Sequence, residues 1–220
     1  MRIAPERLAY WYLRLNGFLT IENFLVHRDY RRDRSTEVDV LGVRFPFRAE
    51  NVRTMEDDAR LIASGNRIQL VIVEVKQSQC ALNGPWTDPQ ARNMEKVLAA
   101  VGAFPNSSWK EVASCLYRCG RFEDQGYLLS LLCIGRDPSD VLRASLPNVP
   151  QITFDQILRF IHGRFRAYLD VKRENNQWAD DGRALWNEAV RHREVDAFLS
   201  EVKVERGPNL IGVEAPPRRR

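Results

Sequence analysis

The sequence predicts an α/β fold, and three observations support that prediction. Residues 68–76 form an apolar run that ends in Glu74, Val75 and Lys76, and such a run is typical of a buried strand. Residues 36–45 alternate between polar and apolar side chains, as a second strand does. Stretches with apolar residues at helical spacing stand before and after these strands. The chain has 220 residues, 44% of them hydrophobic, which is enough to bury a core of its own.

The first helix and the first two strands are predicted from residues that favour helix ends and turns and from the spacing of apolar residues. A helix is predicted to begin at Pro5 and to end at Asn16 and Gly17. Residues 18–27 and 36–45 are predicted strands, joined by a charged, exposed turn. Alternation assigns the second strand's side chains to two faces, with Glu37, Asp39 and Leu41 on one and Val38 and Val40 on the other.

The elements after this strand continue the alternation of helices and strands. An inserted helix is predicted within residues 46–67, ending at Gly65, and it precedes the apolar strand. The later predictions are, in order, a helix over 87–102 capped by Asp88, a helix with a capping box of Ser108 and Glu111, strands over 127–135 and 149–153, a long helix capped by Thr153 and Gln156, and a last helix over 180–202.

The composition indicates which cellular location and which kind of partner to expect. An excess of 33 Lys and Arg over 29 Asp and Glu gives a formal charge of +4, which is compatible with a polyanionic partner. The 4 cysteines lack zinc-ligand spacing and no secretory leader precedes them, so reduced thiols and a cytoplasmic location are expected. The most apolar N-terminal stretch, residues 8–26, is interrupted by Arg14 and Glu22, so we expect no membrane span.

Charged residues at the end of the apolar strand predict a catalytic site. Glu74 and Lys76 are two apart and therefore point the same way, and Asp39 can reach them if its strand is the neighbour. Two converging carboxylates repel each other unless a cation lies between them, and oxygen ligands select Mg²⁺ or Mn²⁺. An amine beside that cation can position a water or balance a phosphate charge, which suits phosphodiester hydrolysis.

Asp39, followed by Glu74, Val75 and Lys76 at the end of an apolar strand, resembles the D…(D/E)xK signature of the PD-(D/E)xK, or restriction-endonuclease-like, nuclease superfamily. The predicted order of helix, three strands, helix and strand over residues 4–135 is similar to the core of that family. The resemblance implies that the Asp and Glu bind Mg²⁺ or Mn²⁺, that Val75 lends its backbone carbonyl, and that Lys76 serves the attacking water. It also implies a metal-dependent nuclease that acts on nucleic acid, with DNA favoured over RNA as the substrate.

Two finer likenesses add candidate residues. Residues 5–18 resemble the first helix of junction-resolvase-like members, whose early Glu completes the metal site, and this implies a ligand role for Glu6. The alternative is a carboxylate that stabilises the first helical turn. Residues 74–98 resemble the nuclease-related domain, which implies that Gln90 leans over the site. The alternative for Gln90 is an exposed helix residue without a role.

The link between the two strands departs from the family pattern. It is longer than the usual hairpin, since the predicted helix in 46–67 intervenes. Asp57 and Asp58 in that segment are therefore rivals of Asp39, and Glu37 is a candidate outer ligand. We favour Asp39 because a residue on a strand holds the geometry of a metal site better than a residue on an inserted segment does. A salt bridge at a solvated sheet edge is the alternative reading of the whole motif.

Basic residues in the turn before residue 36 are expected to contact phosphates. They are Arg28, Arg31, Arg32 and Arg34. The alternative is a solvated loop whose two aspartates half cancel the charge.

The predicted elements and the family resemblance divide the chain into three parts. Residues 1–150 are expected to form the restriction-endonuclease-like core. Residues 151–205 are expected to form a helical extension that packs on the core or mediates a homodimer, and residues 206–220 a mobile tail. Two other functions stay open, namely a non-catalytic binding or assembly module with the same fold and a helical interaction protein whose sheet is only a support.

Overall fold

The computed structural model describes residues 1–26, 36–48, 55–62, 65–173 and 179–205. The fold is α/β. Its strands are β1 (Arg2–Ile3), β2 (Leu19–Val26), β3 (Thr36–Arg44), β4 (Ile68–Val75), β5 (Arg121–Glu123), β6 (Tyr127–Gly135), β7 (Gln151–Thr153) and β8 (Lys203–Val204). Its helices are α1 (Pro5–Leu15), α2 (Gly84–Thr87), α3 (Asn93–Val101), α4 (Trp109–Cys119), α5 (Asp140–Ser145), α6 (Phe154–Ala167), α7 (Leu169–Lys172), α8 (Asp180–Arg191) and α9 (Val195–Glu201). Among the described helices, none has the length and apolar content needed to cross a bilayer.

The described strands form one mixed sheet and one small pair. The sheet has the order β2-β3-β4-β6-β5, and β7 also pairs with β6. The β2–β3 and β3–β4 pairs are antiparallel, whereas β4 and β6 are parallel. A parallel step requires a crossover connection, and the segment that contains α2, α3 and α4 provides it. Strands β1 and β8 pair separately, which joins the N-terminus to the end of α9.

Both faces of β4 are covered, which explains its apolar sequence. Val71, Val73 and Val75 pack in a cluster with residues of α1, α6, α8 and α9. Leu70 and Ile72, on the other face, pack with residues of α3 and α4. A strand that is buried on both sides cannot show the polar alternation of a half-exposed strand.

The C-terminal helices lie on the same core as the sheet. Helix α6 packs against α1, and α8 and α9 pack against α6. The contact between α8 and α1 is close, since a Cβ atom at Gly182 would lie 2.1 Å from the ring of Trp11. Phe198 of α9 is fully buried.

Several local predictions are confirmed. The first helix spans Pro5–Leu15, and the predicted strands at the positions of β2, β3, β4, β6 and β7 are present. Thr153 and Gln156 form the predicted capping box of α6, with both side chain–backbone hydrogen bonds in place. These elements have strong local signals, so their positions depend little on the rest of the chain.

The prediction of an inserted helix is wrong for the described part of residues 46–67, which is turn and irregular structure. Residues 49–54 and 63–64 of that segment lie outside the described residues. Asp58 donates its backbone N–H to Asn16 Oδ1 at 2.7 Å, and its carboxylate accepts the backbone N–H two residues later at 3.0 Å. Such bonds give these backbone N–H groups the hydrogen-bond partners that helix carbonyls would otherwise have to supply.

The helix predicted over 87–102 is also corrected. Asp88 caps only a 3₁₀ turn, Pro89–Ala91, by accepting the N–H of Gln90 at 2.9 Å. Arg92 then adopts a left-handed conformation with φ of 52°, so α3 begins after it. The separate short helix α2 turns Trp86 inward, where 2% of its surface is exposed.

Three smaller expectations are wrong. Ser108 precedes α4 without a side-chain capping bond, and the last predicted helix is divided into α8 and α9 at His192. Val38 packs with α3 and α4, whereas Val40 packs with α1 and α6, so the two do not share a face. The change of face occurs where Asn23 of β2 lies beside β3. Asn23 has a φ of 50° and is not paired with β3, although the residues before and after it are.

Candidate functional site

The candidate site lies where β3 and β4 stop pairing. The ladder between them reaches Val40 opposite Val73, and Asp39 is the next residue of β3. Asp39 Oδ2 accepts the backbone N–H of Val75 at 2.7 Å. This side-chain bond replaces the backbone hydrogen bond that β3 would otherwise make at the end of the ladder. The half-buried carboxylate of Asp39 is thereby fixed beside the last residue of β4.

The carboxylate of Glu74 contacts an uncharged indole N–H through one oxygen and the ammonium group of Lys76 through the other. It is 3% exposed, and its Oε2 accepts the indole N–H of Trp86 at 2.5 Å. Its Oε1 forms an ion pair with Lys76 Nζ, and the same amine donates to Asn83 Oδ1 at 2.7 Å. A buried carboxylate is costly unless it is paired and hydrogen-bonded, and both oxygens of Glu74 meet that condition.

Asp39 shares its electrostatic environment with these groups. Burial raises the pKa of Asp39 to about 6, against the lowering effect of the Val75 N–H. The negative charges of Glu74 and Glu6 also raise this pKa, and the ammonium group of Lys76 lowers it. The structure therefore brings the two predicted acids and the predicted amine together, with Glu6 near enough for its charge to act on Asp39.

The raised pKa of Asp39 predicts a pH-dependent stability in metal-free buffer. The folded protein keeps this proton to about pH 6, whereas an unfolded Asp loses it near pH 4, so the free energy of unfolding falls as pH rises between these values. Because the group is half-buried, we expect a loss of about 1 kcal/mol. Urea titrations of the protein and of Asp39→Asn should diverge over this range. A stability difference that does not change with pH would contradict the prediction.

The other predicted site residues have varied positions. Glu6 is half-buried in the first turn of α1. Gln90 is exposed in the 3₁₀ turn, and Glu37 is exposed on β3. The predicted phosphate contacts, which are Arg28, Arg31, Arg32 and Arg34, lie outside the described residues.

The rival ligands Asp57 and Asp58 have other partners. Asp57 binds Arg44 at 2.9 Å and Arg164 at 3.1 Å, and Asp58 accepts from Tyr12 at 2.8 Å. Arg44 is the last residue of β3, at the opposite end of the strand from Asp39. The structure thus places both rivals at the other end of the β3–β4 pair.

Two contacts of the site were not predicted from the sequence. Trp86 and Asn83 bind Glu74 and Lys76, and both come from the segment that begins α2. A Trp soon after the strand is visible in the sequence, but its bond to Glu74 depends on how α2 turns back. The only local signal is that a buried indole N–H needs an acceptor.

No protein-family model, curated protein or solved structure matches this chain. What the site can do is therefore inferred from its own side chains.

The ligand chemistry of the site fits a hard divalent cation that is held by few protein groups. Among the described residues, no three His, Cys, Asp or Glu side chains are grouped closely enough to hold a metal ion. Mg²⁺ commonly keeps several waters and binds through one or two carboxylates together with substrate phosphates. Asp39 and Glu74 can supply two such carboxylates.

Proposed function

We propose that the protein is a metal-dependent nuclease that hydrolyses phosphodiester bonds of nucleic acid, preferably DNA. The observation that carries this proposal is the meeting of Asp39, Glu74 and Lys76 at the end of two neighbouring strands. The charge of one carboxylate disfavours ionisation of the other, and a divalent cation between them would remove that cost. Oxygen ligands favour Mg²⁺ or Mn²⁺ in this position.

The order and direction of the strands support the proposal. Helix α1 precedes three antiparallel strands, and a helical crossover leads to β6, which is parallel to β4. This is the core order that the resemblance to restriction-endonuclease-like nucleases implies. Because α/β folds serve many functions, the site residues carry more weight than the topology.

Val75 is suitably oriented to add a backbone ligand. The N–H and C=O of one strand residue point toward the same neighbouring strand. Since the N–H of Val75 points at Asp39, its carbonyl is directed to the Asp39 side as well. The charge of Glu6 acts on Asp39, but Glu6, Asp39 and Glu74 are not grouped closely enough to hold one ion, so a ligand role for Glu6 would require its side chain to move.

Lys76 has the position of a group that serves the attacking water. Its side chain is 23% exposed, and its amine is held by Glu74 and Asn83. If Glu74 bound a cation, that cation would compete with the amine for Oε1, and the amine could then hold a water or a phosphate oxygen. When bound, Mg²⁺ would supply charge stabilisation and lower the pKa of a bound water.

The proposal is tested by metal binding and cleavage together. Calorimetry with Mn²⁺ should give binding heat, and Mg²⁺ should support cleavage of duplex DNA or RNA that a chelator abolishes. Asp39→Asn should weaken Mn²⁺ binding at least about tenfold. Glu123→Gln, an exposed acid on β5 at the opposite end of the sheet from Glu74, is the control and should leave binding unchanged. Absence of both heat and cleavage in the unmodified protein would overturn the proposal.

A non-catalytic binding module is the second candidate. It is favoured by one observation, that both oxygens of Glu74 already have partners in Trp86 and Lys76. In that case the charged cluster is a buried salt bridge and needs no cation. Such a protein would give no Mn²⁺ heat but would still bind nucleic acid in an electrophoretic mobility assay.

A further inference from the structure

We propose that the outer edge of β2 is an interface through which two copies of this chain form a dimer. Strand β2 ends the sheet order, and within the described residues it pairs with β3 alone. Three of its apolar side chains face solvent, since Leu19 is 68%, Ile21 is 54% and Leu25 is 51% exposed. A flat, apolar edge strand is a template for pairing with another strand.

Two phenylalanines just beyond β3 enlarge this apolar surface. Phe45 is 52% exposed and Phe47 is 79% exposed. Both line, with Leu19, an open groove of about 780 Å³. We call Leu19, Ile21, Phe45 and Phe47 the edge patch.

The size of the edge patch fits a dimer contact. The two phenylalanines together expose on the order of 250 Å², and the four side chains on the order of 450 Å². That equals the largest apolar patch of an ordinary monomer, which often marks an interaction site. A stable interface needs about 800 Å² from each partner, and the backbone of β2 with the flanking Tyr10 and Arg14 can supply the remainder.

A second copy is the favoured occupant because the strand is self-complementary. With a two-fold axis at Thr20, antiparallel pairing places Leu19 opposite Ile21 of the partner subunit. Apolar cross-strand pairs of this kind stabilise a sheet, and Thr20 meets its own copy on the axis. No partner of different chemistry is required.

The charge on this edge does not prevent the pairing. Glu22 is the charged residue of β2, and it forms an ion pair with Arg7. Neither Lys nor Pro, which commonly protect edge strands, occurs in β2. The backbone turn at Asn23, with φ of 50°, limits the pairing segment to residues 19–22.

Sedimentation velocity over a wide concentration range tests the proposal on the full chain. The unmodified protein should sediment as a dimer, and Ile21→Lys should weaken the dimer at least about tenfold. Val141→Lys on α5 and Val190→Lys on α8 are matched controls, because both positions are exposed valines far from β2 in the sequence, and both variants should remain dimeric. Circular dichroism should show that every variant is folded.

A second variant keeps the test informative if Ile21→Lys does not fold. Phe47→Ser removes a side chain that is 79% exposed and should also weaken the dimer. A monomer at every concentration overturns the proposal, as does a dimer that only Val190→Lys disrupts. A monomer that binds lipid vesicles through the edge patch would assign the patch to a membrane and also overturn it. None of these outcomes depends on nuclease activity.

Discussion

Lys76→Met is expected to lower the rate of Mg²⁺-dependent cleavage by about 10³-fold, within the range that general acid–base groups contribute. Methionine keeps an unbranched side chain up to the Cε atom but lacks the amine that would hold the water or a phosphate oxygen. Glu74 keeps the N–H of Trp86 as a partner but loses its counter-charge, so circular dichroism at saturating metal should first show that the variant is folded. Single-turnover assays at saturating metal measure the rate without a contribution from substrate release.

The same variant separates a role in the chemical step from a role in metal binding. Because the amine of Lys76 competes with a cation for Glu74 Oε1, Mn²⁺ should bind Lys76→Met at least as tightly as the unmodified protein. Lys110→Met, an exposed lysine on α4, is the control and should cleave at the normal rate. If Lys76→Met retained full activity, the role assigned to this amine would be wrong.

Asp57→Asn is expected to lower the free energy of unfolding by about 3–5 kcal/mol, the usual cost of removing one partner from a buried ion pair. Asp57 lies between Arg44 and Arg164, whose side chains are 9% and 2% exposed. Asparagine removes the carboxylate charge that both buried guanidinium groups contact. Urea denaturation monitored by circular dichroism gives the free energy directly.

Asp155→Asn is the control for that experiment. Asp155 pairs with Arg159 on the exposed face of α6, and its side chain is 59% exposed. A solvated pair of this kind contributes about 0–1 kcal/mol, so the control should lose no more than that. If both variants lost the same small amount, the buried arginines would not depend on Asp57.

Much of the fold could be predicted because its signals are local. Pro5 marks the start of α1, Thr153 and Gln156 cap α6, and predominantly apolar runs mark β4 and β6. The segment around Asp57 was predicted wrongly because its partner Arg164 is 107 residues away in the sequence. No periodicity within residues 46–67 reports such a contact.

The candidate site could be predicted only in outline. Strand alternation and the tendency of consecutive strands to pair placed Asp39 near Glu74 and Lys76. The bond from Val75 N–H to Asp39 could not be foreseen, since it depends on where the β3–β4 ladder ends. The contact of Trp86 with Glu74 likewise depends on the separate short helix α2, which ends at Thr87 before the 3₁₀ turn and Arg92.

The central claim is that Asp39 and Glu74 share one hard cation, and an anomalous difference map from crystals grown with Mn²⁺ tests it most directly. The account predicts a peak between the two carboxylates, at about 2.0–2.2 Å from an oxygen of each. A map without a peak there, in crystals of protein saturated with Mn²⁺, would contradict it, as would an ion bound only elsewhere on the chain.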